Sequence, residues 1–369
     1  MSPHLMILGC RGVPADHGGF ETFAEQIALF LTGKGWAVSV YCQADESKAS
    51  AIDVREWRGV TRLVVPTRAK GSLGSIIFDW KSILHAMRRP GVLLVLGFNT
   101  GVFAVLPRLL GRRVMISMDG FEWRRTKWSP PVQLWFWMNA RLAAALGITL
   151  IADHPLIREY YGAFIRHGKV VMIPYGAAPN VKVGIEPLRA LNLTPGGYFL
   201  IVCRIEPENS VLEIVRAFSA VKGPRFLVVL GKMDKNHPYQ AAVLQAASDK
   251  VKFLGAIYEP QITSSLRKHA RAYCHGHRVG GTNPSLVESL SFGTAIIAHD
   301  NQFNRWTAGE GQFYFYDVES CLRCISQVDA DDEAVTRAQA AAAERFQSDF
   351  TLDSVLYSYE KLLLAYHYT

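Results

Sequence analysis

A chain of 369 residues, 49% of them hydrophobic, is long enough for two domains with separate cores, and its scattered charges exclude a disordered chain. It has no run of about 18 uncharged apolar residues, which argues against a membrane-spanning helix, and six cysteines at 10, 42, 203, 274, 321 and 324 are too dispersed for a disulfide framework. The net charge of +8 is lopsided: residues 1–180 hold 21 Lys+Arg against 12 Asp+Glu, and the remainder 19 against 20.

That excess suits an anionic surface or acceptor, such as phospholipid headgroups or a polyprenyl diphosphate. No recognised nucleic-acid-binding motif accompanies it, so nucleic acid is not expected as a partner. The opening residues carry no basic leader and run straight into a strand, so no signal peptide is expected.

The first strand is predicted over 5–10, and a helix over 21–32 with apolar residues at 20, 23, 24, 27, 28 and 31. Between them the run from Cys10 to Thr22 is longer than a βα turn needs. Its glycines, at 9, 12, 18 and 19, do not make a GxGxxG fingerprint. Gly18 and Gly19 at the helix start bring backbone N–H groups within reach of a phosphate or sugar.

Further strands are predicted over 37–42, 63–65, 92–96, 114–117, 149–152 and 170–173. Directly after the strand at 114–117 comes Met118-Asp-Gly-Phe-Glu-Trp-Arg-Arg-Thr-Lys-Trp128. A carboxylate at a strand's carboxyl end can orient or deprotonate an acceptor hydroxyl, which makes Asp119 and Glu122 candidates. Arg124, Arg125 and Lys127, interleaved with Trp123 and Trp128, suit an anionic lipid-linked acceptor; the plainer reading is a solvated basic loop over tucked aromatics. The apolar, aromatic stretch 132–138 is either core or a membrane-interface segment.

Prolines, glycines and weak periodicity mark a linker at 181–197. It separates a first domain (1–180) from a second (198–345), with a C-terminal helix over 346–369 that returns toward the first. In the second domain strands are predicted over 198–203, 226–230, 251–253, 272–275 and 295–298, with helices over 332–346 and 352–366. Alternating strands and helices mean an α/β fold of two doubly wound, Rossmann-like sheets, with the site in the cleft at the strands' carboxyl ends.

Arg204 ends the strand at 198–203, where it can grip two diphosphate oxygens and stabilise leaving charge; otherwise it is a surface arginine paired with Glu206 or Glu208. The most informative stretch runs from His275 to Gly293. Gly280 and Gly281 allow close approach of a ligand, Asn283 is a good N-cap, and Pro284 suits the first helical position. The opening turn, Thr282 to Ser285, is then an anion site, and Glu288 one turn further in can bind hydroxyls beside the phosphate. His275 and His277 line the loop. Asp329 and Asp331 formally match DxD but precede a helix, where aspartates cap, and Cys321 and Cys324 lie on an amphipathic helix over 318–328 with no second pair. No metal site is expected.

Several stretches carry a resemblance: RGVPADHGGFET at 11–22, LGFNT at 96–100, MDGFEWRRTKW at 118–128, IPYGA at 173–177, CRIEPEN at 203–209, HGHRVGGTNPSLVES at 275–289 and FNR at 303–305. The chain resembles the retaining nucleotide-sugar glycosyltransferases of the GT-B architecture (family 4-like), and within them the bacterial rhamnosyltransferase branch. The resemblance implies sugar transfer from a nucleotide diphosphate, most readily dTDP-rhamnose, to a lipid-linked or polysaccharide acceptor, with no metal or cofactor. It also implies a cytoplasmic protein, peripheral on an anionic inner-membrane face. A UDP-hexose donor, or a nucleotide-sugar epimerase of the same fold, is the alternative.

By the same resemblance Arg204, Asn209, Gly281, Thr282, Asn283 and Ser285 face the donor, Glu288 binds its ribose, and Gly18 and Gly19 close the site. Asp119, Glu122, Trp123, Arg124 and Arg125 face the acceptor, with Asp119, Glu122 and Arg204 the catalytic candidates. The chain departs from the pattern twice. Gly280 stands eight before Glu288 in place of a glutamate, and Asn209 stands five after Arg204 in place of a lysine.

Overall fold

The computed structural model describes residues 2–16, 18–45, 49, 51–118, 120–125, 128–146, 148–165, 170–178 and 183–367. The chain divides into two compact units, one of residues 1–174 with 355–369 and one of residues 175–354.

The first unit holds β1 (His4–Leu8), β2 (Ala37–Ala44), β3 (Asp53–Trp57), β4 (Val60–Pro66), β5 (Val92–Leu96), β6 (Val114–Met118), β7 (Thr149–Ala152) and β8 (Val170–Met172). They form one sheet in the order β3-β4-β2-β1-β5-β6-β7-β8. The pairings are parallel except β3 with β4. Leu5, Met6, Ile7, Leu93, Leu94, Met115 and Ile116 are wholly buried. A sheet covered on both faces needs apolar residues at successive positions, which is why its central strands read as continuous runs.

β3 has no such signature, because its residues Asp53 to Glu56 are exposed at the sheet edge. The hairpin to β4 turns on Arg58 and Gly59, both with positive φ (51° and 81°), as a two-residue primed turn requires. The helix Leu352–His367 contributes its residues from 355 onward to this unit. There Tyr359 packs on Phe23 with ring centroids 4.8 Å apart, and Glu360 pairs with Lys34 at 2.5 Å.

The second unit holds β9 (Tyr198–Val202), β10 (Phe226–Leu230), β11 (Val251–Gly255), β12 (Ala272–His275), β13 (Ile296–His299) and β14 (Phe313–Phe315). They form a parallel sheet in the order β11-β10-β9-β12-β13-β14. Alternation along the strands divides the core. Phe199, Ile201, Leu227, Val229 and Cys274 pack on one face against Val211, Ile214, Phe218, Cys321 and Ile325. Tyr198, Leu200, Val228, Leu230 and Tyr273 pack on the other against Leu266, Leu286, Leu290 and Phe346.

Residues read from the sequence as a linker hold the helix Glu186–Ala190, whose Leu188 is fully buried in that second core. Cys10 and Cys203, predicted as strand ends, lie just beyond β1 and β9. All six cysteines are free thiols. The α/β architecture is as the alternating pattern predicts.

Candidate active site

In the second sheet the chain runs outward from β9 to β10 and β11, then returns to the other side of β9 as β12. Ligands collect at such a switch point, beyond the strands' carboxyl ends. A pocket of about 210 Å³ opens there, lined by residues 202–204, Asn209, 273–277 and 283–285. The backbone crosses tightly at Gly276: a Cβ on that residue would come within 2.0 Å of the Asn209 carbonyl oxygen, so no larger residue fits.

The helix Pro284–Ser291 starts at this pocket, and the Asn283 side chain accepts the Ser285 N–H at 3.0 Å. Ser285 Oγ accepts from Tyr273 Oη (2.9 Å) and Arg267 Nη2 (3.2 Å) and donates to the Val202 carbonyl at 3.2 Å. Both polar groups of Ser285 are thus engaged within the protein. What the helix start offers a ligand is its dipole and its backbone.

Arg204 leaves β9 with its side chain 60% exposed, 3.3 Å from Glu206 and 3.9 Å from Glu208. Exposed pairs of this kind contribute about 0–1 kcal/mol, so an anion can draw the guanidinium away. Asn209 is buried. Its Nδ2 donates to the Arg204 carbonyl at 2.7 Å, and its Oδ1 lies 2.5 Å from His277 Nδ1.

His275 is buried beside them, and burial first, then the neighbouring His277 and His299, push its pKa well below 6.5. Its Nε2 has no hydrogen-bond partner among the described residues. Glu288 lies outside the pocket lining, with its Oε2 2.6 Å from the buried Arg267 guanidinium. Gly281 and Thr282 also stand back from the lining, and Thr282 is buried.

In the first unit, Gly18 is the N-cap of the helix Gly19–Gly33 with φ 108°. Glutamates of that helix reach back into the long turn: Glu21 accepts the Arg11 N–H at 2.9 Å, and Glu25 accepts the Ala15 N–H at 2.6 Å. A Cβ on Gly18 would meet Glu21 Oε2 at 2.2 Å. The turn's length is therefore braced by carboxylates at the helix start, next to the two glycines read as ligand contacts.

Asp119 and Lys127 lie outside the described residues. Glu122 is committed on both oxygens, to Arg125 Nε at 2.7 Å and to Trp128 Nε1 at 3.1 Å, so Glu122 and Arg125 neutralise each other. Trp123 packs among Phe98, Phe121 and Tyr160, and Arg124 lies over the Phe121 ring. Sequence reasoning missed Asp79, which accepts from Thr100 Oγ1 at 2.8 Å and whose carboxyl burial pushes up to about 6. It also missed Arg267, since nothing local distinguishes Arg267 among the basic residues that end its helix.

Among the described residues, no group of three or more His, Cys, Asp or Glu is placed to hold a metal ion. Asp329 pairs with Arg225 at 2.6 Å, and Asp331 caps the helix Asp332–Asp349. No helix of the described residues is long and apolar enough to cross a membrane.

The fold and pocket define a GT-B protein. The structure is similar over 98% of both chains to sucrose-phosphate synthase from Thermosynechococcus elongatus (TM-score 0.81, 15% identity). It is similar to HepE from Anabaena, solved with UDP and glucose, over 99% of this chain and 100% of that one (0.76, 13%). It is also similar to α,α-trehalose 6-phosphate synthase from Burkholderia multivorans over 100% and 99% (0.75, 14%). No curated protein matches the chain in sequence. Residues 2–178 match a domain of unknown function, DUF1972, and residues 190–345 match the family described as glycosyl transferases group 1. The pocket lies within residues 190–345, the stretch that matches the glycosyl transferases group 1 family.

Proposed function

We propose that this protein is a retaining glycosyltransferase that moves L-rhamnose from dTDP-rhamnose to a lipid-linked or polysaccharide acceptor in bacterial surface glycan synthesis. What supports the reading is the pocket itself: Arg204, Asn283 and Ser285 meet at the switch point of the group 1 domain, at a helix N-terminus. Arg204 swings from its weak pairs onto the diphosphate, and the helix dipole adds to the positive field. Glu288, oriented by Arg267, binds the ribose; Asn209 shapes the wall, and Gly281 and Thr282, set back from the lining, lead the chain into the helix start that faces the donor.

Gly18 and Gly19 close over the donor, while Asp119, Glu122, Trp123, Arg124 and Arg125 form the acceptor side. In the reaction the bond from the sugar C1 to the diphosphate oxygen breaks as the acceptor oxygen bonds to C1 on the same face. The acceptor's proton passes to the departing phosphate oxygen, so dTDP leaves and configuration is retained. The protein supplies positioning and a preorganised positive field, and the nucleotide sugar is the one small molecule required.

The protein works at the cytoplasmic face of the inner membrane, held peripherally by the basic excess of residues 1–180. The experiment is a thermal-shift panel of dTDP-rhamnose, UDP-glucose, UDP-galactose, UDP-GlcNAc, GDP-mannose and NAD, since only a ligand of the native state raises Tm. Stabilisation by dTDP-rhamnose alone supports the reading, and by a UDP-sugar replaces the donor. Donor turnover without any acceptor indicates an epimerase, and a response to NAD alone overturns the class.

A further inference from the structure

One polar atom in the wall of the second unit's pocket stands without a hydrogen-bond partner. His275 closes β12, lines the pocket and is 4% exposed, and its Nε2 has no hydrogen-bond partner among the described residues. Burial holds its pKa well below 6.5, so the ring is neutral, with one N–H and one lone pair. Which nitrogen carries the proton follows from its neighbours.

The Val202 carbonyl can only accept, and Ser285 Oγ donates to it at 3.2 Å. Ser285 Oγ in turn accepts from Tyr273 Oη at 2.9 Å, which spends the phenol's one hydrogen. Tyr273 Oη therefore meets His275 Nδ1, 3.3 Å away, with a lone pair, and Nδ1 must donate. The far end of this chain is fixed as well: Ser285 Oγ also accepts from the buried Arg267 (3.2 Å), whose Nη2 pairs with Glu288 at 2.6 Å. The fold thus sets the tautomer and leaves Nε2 as a bare lone pair. A buried acceptor without a hydrogen is costly, and a pocket wall that carries one is completed by a ligand that brings a hydrogen.

We infer that His275 reads the donor sugar in this pocket: its Nε2 accepts a hydrogen bond from a pyranose hydroxyl, and Tyr273 is a positioning residue that fixes the ring and its tautomer. A hydroxyl has the hydrogen that the lone pair needs, whereas an ionised phosphate oxygen brings none. The inference rests on the glycosyl-transfer reading, in which the phosphates take Arg204 and the helix start at Asn283 and Ser285, in the same lining. Glu288, proposed for the ribose, stands outside that lining, so the hydroxyl that reaches His275 belongs to the pyranose.

The test is isothermal titration of the full-length protein with dTDP-rhamnose and with dTDP, or with UDP-glucose and UDP if only the uridine pair binds. The readout is the ratio of the two Kd values, which isolates the sugar. His275→Ala is expected to cut the sugar's advantage about tenfold, the worth of one such hydrogen bond, while affinity for the nucleotide alone stays near wild type. His275→Gln, whose amide reaches the Nε2 position, is expected to restore much of it. His275→Asn, which reaches only the Nδ1 position and so keeps the bond to Tyr273, is not. In histidine nitrogen NMR of the wild type, the Nε2 resonance that is missing from His275→Gln is expected to be unprotonated and to shift with the nucleotide sugar but not with the nucleotide.

An unchanged ratio in His275→Ala overturns the inference, as does rescue by Asn equal to rescue by Gln, because the ring would then merely brace Tyr273. Should His275→Ala not fold, the Gln and Asn variants and the wild-type resonance decide, and an Nε2 that is protonated or indifferent to the sugar overturns the inference. A wild-type protein that binds none of the four ligands overturns the glycosyl-transfer reading itself. Nucleotide binding with a ratio indifferent to His275 leaves that reading standing and removes only the inference.

Discussion

Arg267, with its side chain 8% exposed, holds the Glu288 carboxylate at 2.6 Å from a neighbouring helix, while Glu288 itself is 36% exposed. The two partners are therefore unequal in what their loss leaves behind. Glu288→Gln strands a buried guanidinium, and an unpaired buried charge costs about 1–3 kcal/mol or more. Arg267→Met leaves a carboxylate that water can reach. Urea unfolding is expected to show the larger loss for Glu288→Gln, and both variants are expected to weaken nucleotide binding. Equal stability losses would mean that the pair is as well solvated as a surface pair.

Arg204→Ala separates function from fold in the opposite way. The side chain is 60% exposed and its carboxylate contacts are 3.3 and 3.9 Å long, so unfolding should be near wild type. Turnover should fall on the order of 10²–10³-fold if the guanidinium stabilises leaving-group charge. Near-normal turnover in a steady-state assay with dTDP-rhamnose would remove Arg204 from the chemistry.

How far the sequence carried the structure follows from where each signal resides. The central strands were legible because burial on both faces writes itself as an apolar run, as in Val92–Leu96. Asp53–Trp57 was not, since an edge strand with exposed charges resembles a loop and its pairing hangs on the Arg58-Gly59 turn. The Asn283 cap was legible as Asn-Pro before an apolar helix. By contrast, the Asn209–His277 contact joins residues 68 apart, and Asp79 and Thr100 are 21 apart. Such pairings are set by which strands become neighbours, which no local pattern encodes.

Asp79 gives a pH dependence of defined sign. Burial raises its folded pKa from 3.8 to about 6, against the opposing hydrogen bond from Thr100. Between those values the native state holds a proton that the unfolded state has released, so stability falls as pH rises through the window. Asp79→Asn keeps an acceptor for Thr100 without the charge. It should be more stable than wild type at pH 7.5, on the order of 2 kcal/mol, and lose that advantage toward pH 4. Urea titrations at the two pH values measure it, and an advantage that does not vary with pH would refute it.

His275 acts with the opposite sign. Its folded pKa lies well below 6.5, chiefly through burial, and those of His4, His85, His269 and His299 are lowered with the same leading cause. As pH falls through 6.5 the unfolded chain takes up protons that the native state refuses, so stability is lost from there toward the lowered folded values. His275→Gln should lose less stability than wild type between pH 7.5 and 5.5. Parallel curves for the two proteins would show that His275 is solvated in the native state.

The helix Pro130–Ala145 turns apolar side chains outward: Leu134, Trp137 and Met138 are 55%, 37% and 52% exposed. Spaced i, i+3 and i+4, they share one face. Arg141 lies over the rings of Trp137 and Phe164, the latter 48% exposed. Apolar and aromatic side chains beside an arginine match a bilayer interface, where the rings enter the headgroup layer and the cation meets lipid phosphate. Replacing Leu134, Trp137 and Met138 together by serine should abolish co-sedimentation with phosphatidylglycerol-rich vesicles and leave nucleotide binding in solution unchanged. Arg141→Gln should weaken the same binding mainly at low salt, because its share is electrostatic and screened. If the triple variant sediments as wild type does, this face plays no part in the proposed membrane attachment, and if the wild type itself does not sediment, the proposed attachment is overturned.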